Sequence, residues 1–284
     1  MSRTVFVQPI FVPDEKRFER NLNSINSFIY YCEKNNVKID CVFGGWGRED
    51  LMLKIIDRLS EKDLPFNIIS IQKFSRNYGK AIVVNKLVKA VEEKGVDFEF
   101  ILTCDSDIMF TETEKDIIER LEGISQVTET IHRKPFGVLG INQKGESHHR
   151  PKTFQKVLEL IVDNYSEKIS WGEPEPELKE VYDCATHIAG GCLFISKSGW
   201  DKVGGYRVMG VYAGDDTYLL KDLAENGFNY QLVQSINIYH PPENDTEYYK
   251  WKQMTTKKYS GPRKNNIDKI MDETDKFWEL RNHE

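Results

Sequence analysis

Long hydrophobic runs are missing from this 284-residue sequence, and no apolar stretch approaches the roughly 20 residues that a membrane-spanning helix needs. The first residues lead directly into a β-rich segment without the apolar core of a signal peptide, so we expect a cytoplasmic protein. Positive charge is not in surplus, because 39 Lys and Arg stand against 45 Asp and Glu. The chain is therefore not expected to bind nucleic acid broadly, since that requires many cations facing phosphates.

Cysteine is scarce and lacks the spacing of a metal or redox motif. The five cysteines are an odd number without a C-x-x-C pair. Cys41 and Cys104 lie inside apolar, strand-like runs, where cysteine usually serves as a small hydrophobic side chain. We therefore expect all five to be reduced and structural, as in a reducing compartment. They are Cys32, Cys41, Cys104, Cys184 and Cys192.

The first hundred residues contain regular apolar patterns. Hydrophobic residues make up 39% of the chain, which is enough for a core. β-rich runs alternate with runs whose apolar residues recur at helical spacing. This alternation predicts an α/β fold with a mainly parallel sheet and helices on both sides. The predicted strands are Thr4–Ile10, Lys38–Phe43, Phe66–Ile71 and Phe98–Thr103, and the predicted helices follow Pro13, contain Leu51–Leu59 and span Gly79–Val91.

The second half of the sequence is less regular. Residues 242–284 form a polar tail with a basic loop, Lys257–Lys264, before a final predicted helix. Ahead of that tail the patterns predict three strands and two helices. The strands are Phe136–Ile141, Cys192–Ser196 and Tyr230–Tyr239, and the helices are Phe154–Tyr165 and Thr217–Asn226.

The Asp105-Ser106-Asp107 segment directly follows a strand that is apolar enough to be buried on both faces. Ligands of open α/β sheets bind beyond the carboxyl ends of the strands. On an extended chain the two carboxylates point the same way, about 6.6 Å apart, and suit one Mg²⁺ or Mn²⁺ ion. The alternatives are a chance D-x-D, expected about once with 19 Asp, and an Asp that caps a helix near Glu112–Leu121.

Six short motifs occur along the chain in a fixed order. They are Phe6-Val7-Gln8-Pro9; Asn77-Tyr78-Gly79-Lys80 with Asn85; Asp105-Ser106-Asp107; Gly190-Gly191-Cys192-Leu193-Phe194; Val203-Gly204-Gly205-Tyr206; and Gly214-Asp215-Asp216. In this order the sequence resembles the family-2-like glycosyltransferases with the GT-A fold, over nearly all of residues 4–241. The resemblance implies a Rossmann-like domain over 1–241. Its nucleotide-sugar-binding half would be 1–110 and its acceptor half 111–241.

The resemblance also implies an activity. A sugar would move from a nucleotide-sugar donor to a hydroxyl of a glycan, protein or small molecule, with Mn²⁺ or Mg²⁺ as cofactor and inversion favoured. Asp107 would bind the metal directly, Asp105 would bind it through water or bind the ribose, and His240 would be a third ligand. Asp216 would be the general base, and Asp215 would help to position the acceptor.

The nucleotide site implied by the resemblance contains Pro9, Asn77, Lys80, Asp105 and Gly191. One departure from the family pattern concerns the base. Many members carry a "DDGS" turn after the second strand, whereas this chain has Gly44-Gly45-Trp46-Gly47, which we expect to end that strand. UDP is therefore not assumed as the carrier.

Other interpretations apply to individual residues. Asp215 and Asp216 would complement the dipole of a helix N-terminus even without a catalytic role. His240 is an ordinary packed histidine if it binds no metal. Lys80 is a solvated residue at a helix start if it faces no phosphate. Trp46 either packs or stacks on a base or sugar.

Two other functions compete with glycosyl transfer. A sugar nucleotidyltransferase also uses a metal and a nucleotide-binding sheet, but its Gly-rich, Arg-containing loop after the first strand has no counterpart at Pro9–Pro13. A catalytically inactive nucleotide-sugar-binding module would keep the fold without the chemistry.

Overall fold

The computed structural model describes residues 3–111, 116–144, 169–171, 190–208 and 215–242. The predicted helix Phe154–Tyr165 and the whole tail beyond residue 242 lie outside these ranges.

Within the described residues, eight strands form one mixed sheet in the order β3-β2-β1-β4-β7-β5-β8-β6. Strands β1 to β4 run parallel to one another, β5 and β8 are parallel, and β7 and β6 are antiparallel to their neighbours. The predicted α/β fold with a mostly parallel, helix-flanked sheet is confirmed. The strands are β1 Thr4–Val12, β2 Asp40–Gly47, β3 Asn67–Lys73, β4 Phe100–Cys104, β5 Phe136–Lys144, β6 Ile169–Trp171, β7 Cys192–Ser196 and β8 Asn229–Tyr239.

Helices of the described chain cover both faces of this sheet. Apolar side chains of α1, α2 and α4 pack in one core cluster, and those of α3, α5 and α6 pack in a second cluster on the opposite face. Strand residues alternate between the two clusters, as the two-residue period of a strand requires. The helices are α1 Glu15–Asn35, α2 Glu49–Leu59, α3 Gly79–Glu93, α4 Ile117–His132, α5 Lys197–Val203 and α6 Asp215–Glu225.

The order of the first four strands creates a switch point between β1 and β4. The chain runs from β1 through α1 to β2 on one face, and from β3 through α3 back to β4 on the other. Loops at the carboxyl ends of two such strands diverge and leave a crevice, which is where open α/β sheets bind ligands. The β1–β4 ladder ends at the pair Val7–Thr103, so Pro9 lies where β1 pairs only with β2. A proline is tolerated at such a position.

Strand β2 runs through Gly44-Gly45-Trp46-Gly47, so the prediction that this run ends the strand is wrong. Gly44 and Gly45 pair with Pro9 and Ile10 of β1. A Cβ on Gly44 would lie 2.8 Å from Leu87, and one on Gly45 would lie 2.3 Å from Met52. The glycines therefore allow helices α3 and α2 to pack closely against the sheet.

Helix α4 begins later than the sequence pattern predicts, and neither Asp of the D-x-D segment caps it. The capping residue is Asp116, whose carboxylate accepts hydrogen bonds from Ile118 N (2.9 Å) and Glu119 N (3.1 Å). The sequence patterns also did not predict β6 and α5. Both are short, and a seven-residue helix or a three-residue strand carries too little periodicity to be recognised.

Replacing Asp116 by Ala should lower the free energy of unfolding by about 2 kcal/mol. The change removes the cap and leaves the buried Tyr31 hydroxyl, which donates to Asp116 Oδ1 at 2.8 Å, without that acceptor. Urea unfolding measures the difference. D116N is the matched control, because Asn caps helices well and keeps the acceptor. Equal stability of D116A and wild type would contradict this account of the cap.

Candidate active site

The Asp105-Ser106-Asp107 segment is a turn at the end of β4, so the carboxylate spacing expected for an extended chain does not apply. Ile108 N donates to Asp105 O at 3.1 Å and closes the turn. The backbone of Asp105 is fixed on both sides of the switch point, because Gln8 Nε2 donates to its carbonyl at 3.3 Å and its N–H donates to Gly191 O at 2.7 Å. The two carboxylates have separate partners, because Asp105 contacts Lys80 and Asp107 contacts Arg20.

Lys80 connects the two halves of the site. Its ammonium lies 2.6 Å from Asp105 Oδ1 and also donates to the Gly190 carbonyl, 110 residues away in the sequence. Gly190 N in turn donates to Asp216 Oδ2 at 2.9 Å. Four predicted motifs thus contribute to one chain of contacts, from Asp105 through Lys80 and Gly190 to Asp216. Lys80 is not a solvated residue at a helix start.

The charge of Lys80 is maintained by its neighbours. Burial alone would lower the pKa of the ammonium, but the negative charge of Asp105, with a further contribution from Asp216, outweighs burial and raises the pKa above its usual value. Lys80 is therefore a permanent cation between two carboxylates.

Two side chains approach Gly190 and Gly191 closely, because neither residue carries a Cβ. A Cβ on Gly190 would lie 2.6 Å from Asp216 Cβ, and one on Gly191 would lie 2.7 Å from Gln143 Oε1. The predicted ligand contact at Gly191 stays a prediction. Its backbone carbonyl lies at the site, because it accepts from Asp105 N.

Asp107 is surrounded by basic side chains. Its Oδ2 lies 2.7 Å from Arg20 Nη2 and 3.6 Å from Arg17 Nη1, and its Oδ1 lies 3.3 Å from His240 Nε2. Burial alone would raise the pKa of the Asp107 carboxyl, but the hydrogen bond to His240 and the charges of His240, Arg20 and Arg17 outweigh it and hold the pKa well below its usual range. Asp107 is ionised at any physiological pH.

Two contacts of neighbouring residues place His240 beside Asp107. Met109 and Tyr239 form an antiparallel bridge, with N–H···O distances of 2.8 and 2.9 Å, at the end of β8. Arg20 also donates to the Pro241 carbonyl at 2.9 Å. The structure thus brings the two predicted metal ligands Asp107 and His240 together.

Asp215 and Asp216 are the first two residues of α6. Both carboxylates complement the positive end of the helix dipole, as the alternative interpretation holds. Asp216 Oδ2 also accepts from Gly190 N, which lies outside the helix, so its position depends on the tertiary structure as well. Asp215 is buried.

Asn77 is held by the core through its amide oxygen. Trp46 Nε1 donates to Oδ1 at 2.7 Å and Gly79 N donates to the same atom at 3.1 Å. Trp46 is only 5% exposed and stacks on Phe11 with ring centroids 5.5 Å apart. The indole therefore packs in the core and presents no open face to a base or sugar. Pro9 is likewise buried within β1.

Sequence reasoning missed two side chains of this site, Arg17 and Arg20, and it named Tyr206 only as part of a motif, without a role at the site. The arginines lie one helical turn apart on α1, and that spacing was the only signal available. Tyr206 is 2% exposed, and its hydroxyl has no hydrogen-bond partner among the described residues. Burial, together with the charges of Asp216, Asp215 and Asp105, raises its pKa against the opposing effect of Lys80. Tyr206 therefore lies within the electrostatic influence of Lys80, Asp105 and Asp216.

The donor atoms suit a hard cation in part. Among the described residues, no group of three His, Cys, Asp or Glu side chains is arranged to hold a metal. Asp107 and His240 form a pair whose ligand atoms, 3.3 Å apart, are spaced as two neighbouring ligands of one ion. Mg²⁺ is often bound by one or two carboxylates, with substrate phosphates and water completing the shell, so Asp107 is the member of this pair that offers its preferred oxygen ligand. Asp105, directed at Lys80, is not a member of this pair.

In comparisons with known proteins, no family model and no curated protein matches the chain. In the part of the chain that the structure describes, no helix is long and apolar enough to cross a membrane.

The Asp107 cluster predicts a pH-dependent loss of stability. Replacing Asp107 by Asn should lower the free energy of unfolding by roughly 3 kcal/mol at pH 7, because the guanidinium groups lose a buried counter-charge. The depressed pKa means that this stabilisation is complete above the unfolded-state value near 3.9 and declines as the pH falls below it. Denaturant unfolding of both proteins between pH 3 and 7 measures the difference.

D50N is the control for that experiment, since Asp50 pairs with Arg48 on the exposed surface. D50N should leave the unfolding midpoint unchanged. If the difference in unfolding free energy between wild type and D107N grew as the pH fell toward 3, the stabilising role of ionised Asp107 would be contradicted.

Removing the Tyr206 hydroxyl should leave stability unchanged or raise it slightly. Y206F deletes a buried group without a hydrogen bond in the described chain, whereas Y31F deletes one that donates to Asp116 and should destabilise by about 1–2 kcal/mol. Urea unfolding of the two variants compares equally buried phenols. An equal loss of unfolding free energy in the two variants would show that the Tyr206 hydroxyl makes a hydrogen bond within the protein.

Proposed function

We propose that the chain is a metal-dependent glycosyltransferase of the GT-A type, which moves a sugar from a nucleotide-sugar donor to an acceptor hydroxyl. The observation that carries the proposal is the chain of contacts from Asp105 through Lys80 and Gly190 to Asp216. These contacts connect Asp105, which we expect on the donor side, with Asp216, which we expect to be the base. They begin at the carboxyl end of β4. The ordered motifs of the sequence support the same function.

Transfer from a nucleoside diphosphate requires stabilisation of a leaving group that accumulates negative charge. Asp107 and His240 would hold Mn²⁺ or Mg²⁺, and the bound ion supplies a Lewis acid to the diphosphate. Arg20 fixes the ligand pair by contacting Asp107 and the Pro241 carbonyl. Lys80, a permanent cation beside Asp105, supplies a second positive charge on the donor side.

The acceptor hydroxyl must lose a proton as it attacks the sugar. Asp216 is the proposed acceptor of that proton. Gly190 N donates to Oδ2 of Asp216 and thereby orients the carboxylate at the N-terminus of α6. Asp215, its buried neighbour, is proposed to position the acceptor. The nucleotide contacts of Pro9, Asn77 and Gly191 belong to this proposal too.

The loop after β1 argues against the sugar nucleotidyltransferase. Only Pro13 and Asp14 separate the end of β1 from the start of α1, and Asp14 caps that helix by accepting from Arg17 N at 2.7 Å. Two residues are too few for a glycine-rich loop that wraps a triphosphate. We further propose a cytoplasmic location, in keeping with buried, free thiols at Cys32, Cys41, Cys104 and Cys192.

Ligand stabilisation tests the donor and the metal together. We expect at least one nucleotide sugar from a panel covering uracil, guanine, cytosine, thymine and adenine carriers to raise Tm in the presence of Mn²⁺. The shift should vanish with EDTA. If no nucleotide stabilises the protein in a metal-dependent way, the proposal fails.

The general base is tested by Asp216→Asn. Donor binding, measured by the same Tm shift, should be retained, while transfer should fall by at least about 100-fold. The matched control is D201N, since Asp201 is an exposed carboxylate paired with Lys197 in the same half of the chain. Full turnover in D216N would remove Asp216 from the base role.

A further inference from the structure

Two cysteines face each other across the strands that support the proposed site. Cys104 ends β4 and Cys192 begins β7, and the antiparallel register pairs them directly. The bond from Asp105 N to Gly191 O, 2.7 Å, identifies this as a non-hydrogen-bonded pair, in which side chains are closest. Their sulfur atoms are 2.7 Å apart, and both thiols are free.

Such a pair has the backbone geometry that a disulfide needs. Cα atoms of a non-hydrogen-bonded pair are about 4.5 Å apart, which lies within the range for disulfides, and the strands need little movement to close the bond. The other two described cysteines lack this arrangement, because Cys32 is in α1 and Cys41 is in β2. Both thiols are buried, so oxidation requires a local opening that lets the oxidant reach one of them.

From this register and contact we infer that Cys104 and Cys192 form a reversible disulfide, an oxidative modification site beneath the proposed active site. The inference does not depend on glycosyl transfer, because it rests only on the strands and the two thiols.

The chemistry is a two-step thiol–disulfide exchange with a low-molecular-weight disulfide as the oxidant. One cysteine attacks a sulfur of the oxidant, which forms a mixed disulfide and releases one thiol. The second cysteine then attacks the first, which forms the Cys104–Cys192 bond and releases the other thiol. The protein loses two electrons and two protons, and the oxidant becomes two thiols.

The Cys104–Cys192 disulfide would restrict the positions of Asp105 and Gly191. Asp105 follows Cys104 and Gly191 precedes Cys192, so the cross-link would fix the distance between the two segments that Lys80 also connects. Because the residues are 88 positions apart, closing the loop should also stabilise the fold and raise Tm by roughly 5 °C or more.

The test uses the whole chain with oxidised glutathione as the oxidant. Purified protein is incubated overnight with oxidised or reduced glutathione, unfolded and alkylated, then reduced and alkylated with an isotopically heavy reagent. Heavy label should appear on Cys104 and Cys192 after oxidation and disappear after treatment with dithiothreitol. Cys32 and Cys41 serve as internal controls, since they are buried but not paired across strands, and they should carry only light label.

Two variants complete the experiment. C192A should remove heavy label from Cys104 and abolish the rise in Tm, whereas C184A should leave both unchanged. Mapping in the wild-type chain keeps the test valid even if C192A folds poorly. The inference is overturned if Cys104 and Cys192 stay light-labelled after oxidation, or if either forms its disulfide with Cys184 instead.

Discussion

The contact between Lys80 and the Gly190 carbonyl is the constraint that makes one site from two distant parts of the chain. Lys80 belongs to the first turn of α3, on the face of the sheet opposite α1, and it reaches over the ends of the strands to Asp105. Through Gly190 it also reaches the N-terminus of α6. Without a cation at this position, Asp105 would lose its ion pair at 2.6 Å and the two segments would lose the side chain that connects them.

The first half of the fold could be predicted because its strands and helices are long and periodic. The α/β alternation, the buried strand before Asp105 and the start of α3 at Gly79 were all visible in the pattern of apolar residues. The full length of β2 could not be predicted, because Gly44 and Gly45 are residues that ordinarily indicate the end of a strand. They are tolerated inside the strand only because Leu87 and Met52 fill the space of their missing side chains. That contact depends on the tertiary structure.

The site was predictable to the extent that its residues occur in recognisable motifs. Lys80, Asp105, Asp216, Asp107 and His240 were named from the sequence, and the structure joins them in two neighbouring contact groups. Arg17 and Arg20 carry only their helical spacing as a signal, and Tyr206 occurs in a motif that gives its side chain no role. An arginine on an amphipathic helix ordinarily faces solvent, and only the approach of the Asp107 turn to α1 gives Arg17 and Arg20 their role.

The two contact groups differ in charge, and this difference agrees with the proposed chemistry. Around Asp107, two guanidinium groups and a histidine surround one carboxylate, whereas around Lys80 one ammonium lies among carboxylates. A diphosphate with its cation suits the first environment, and the second would offer Lys80 to the donor and Asp216 to the attacking hydroxyl.

The most direct measurement is anomalous diffraction from crystals grown with Mn²⁺ and a nucleoside diphosphate. The account predicts a manganese peak in bonding distance of both Asp107 and His240, with the diphosphate beside it and Lys80 still on Asp105. A manganese ion bound away from both Asp107 and His240 would contradict it.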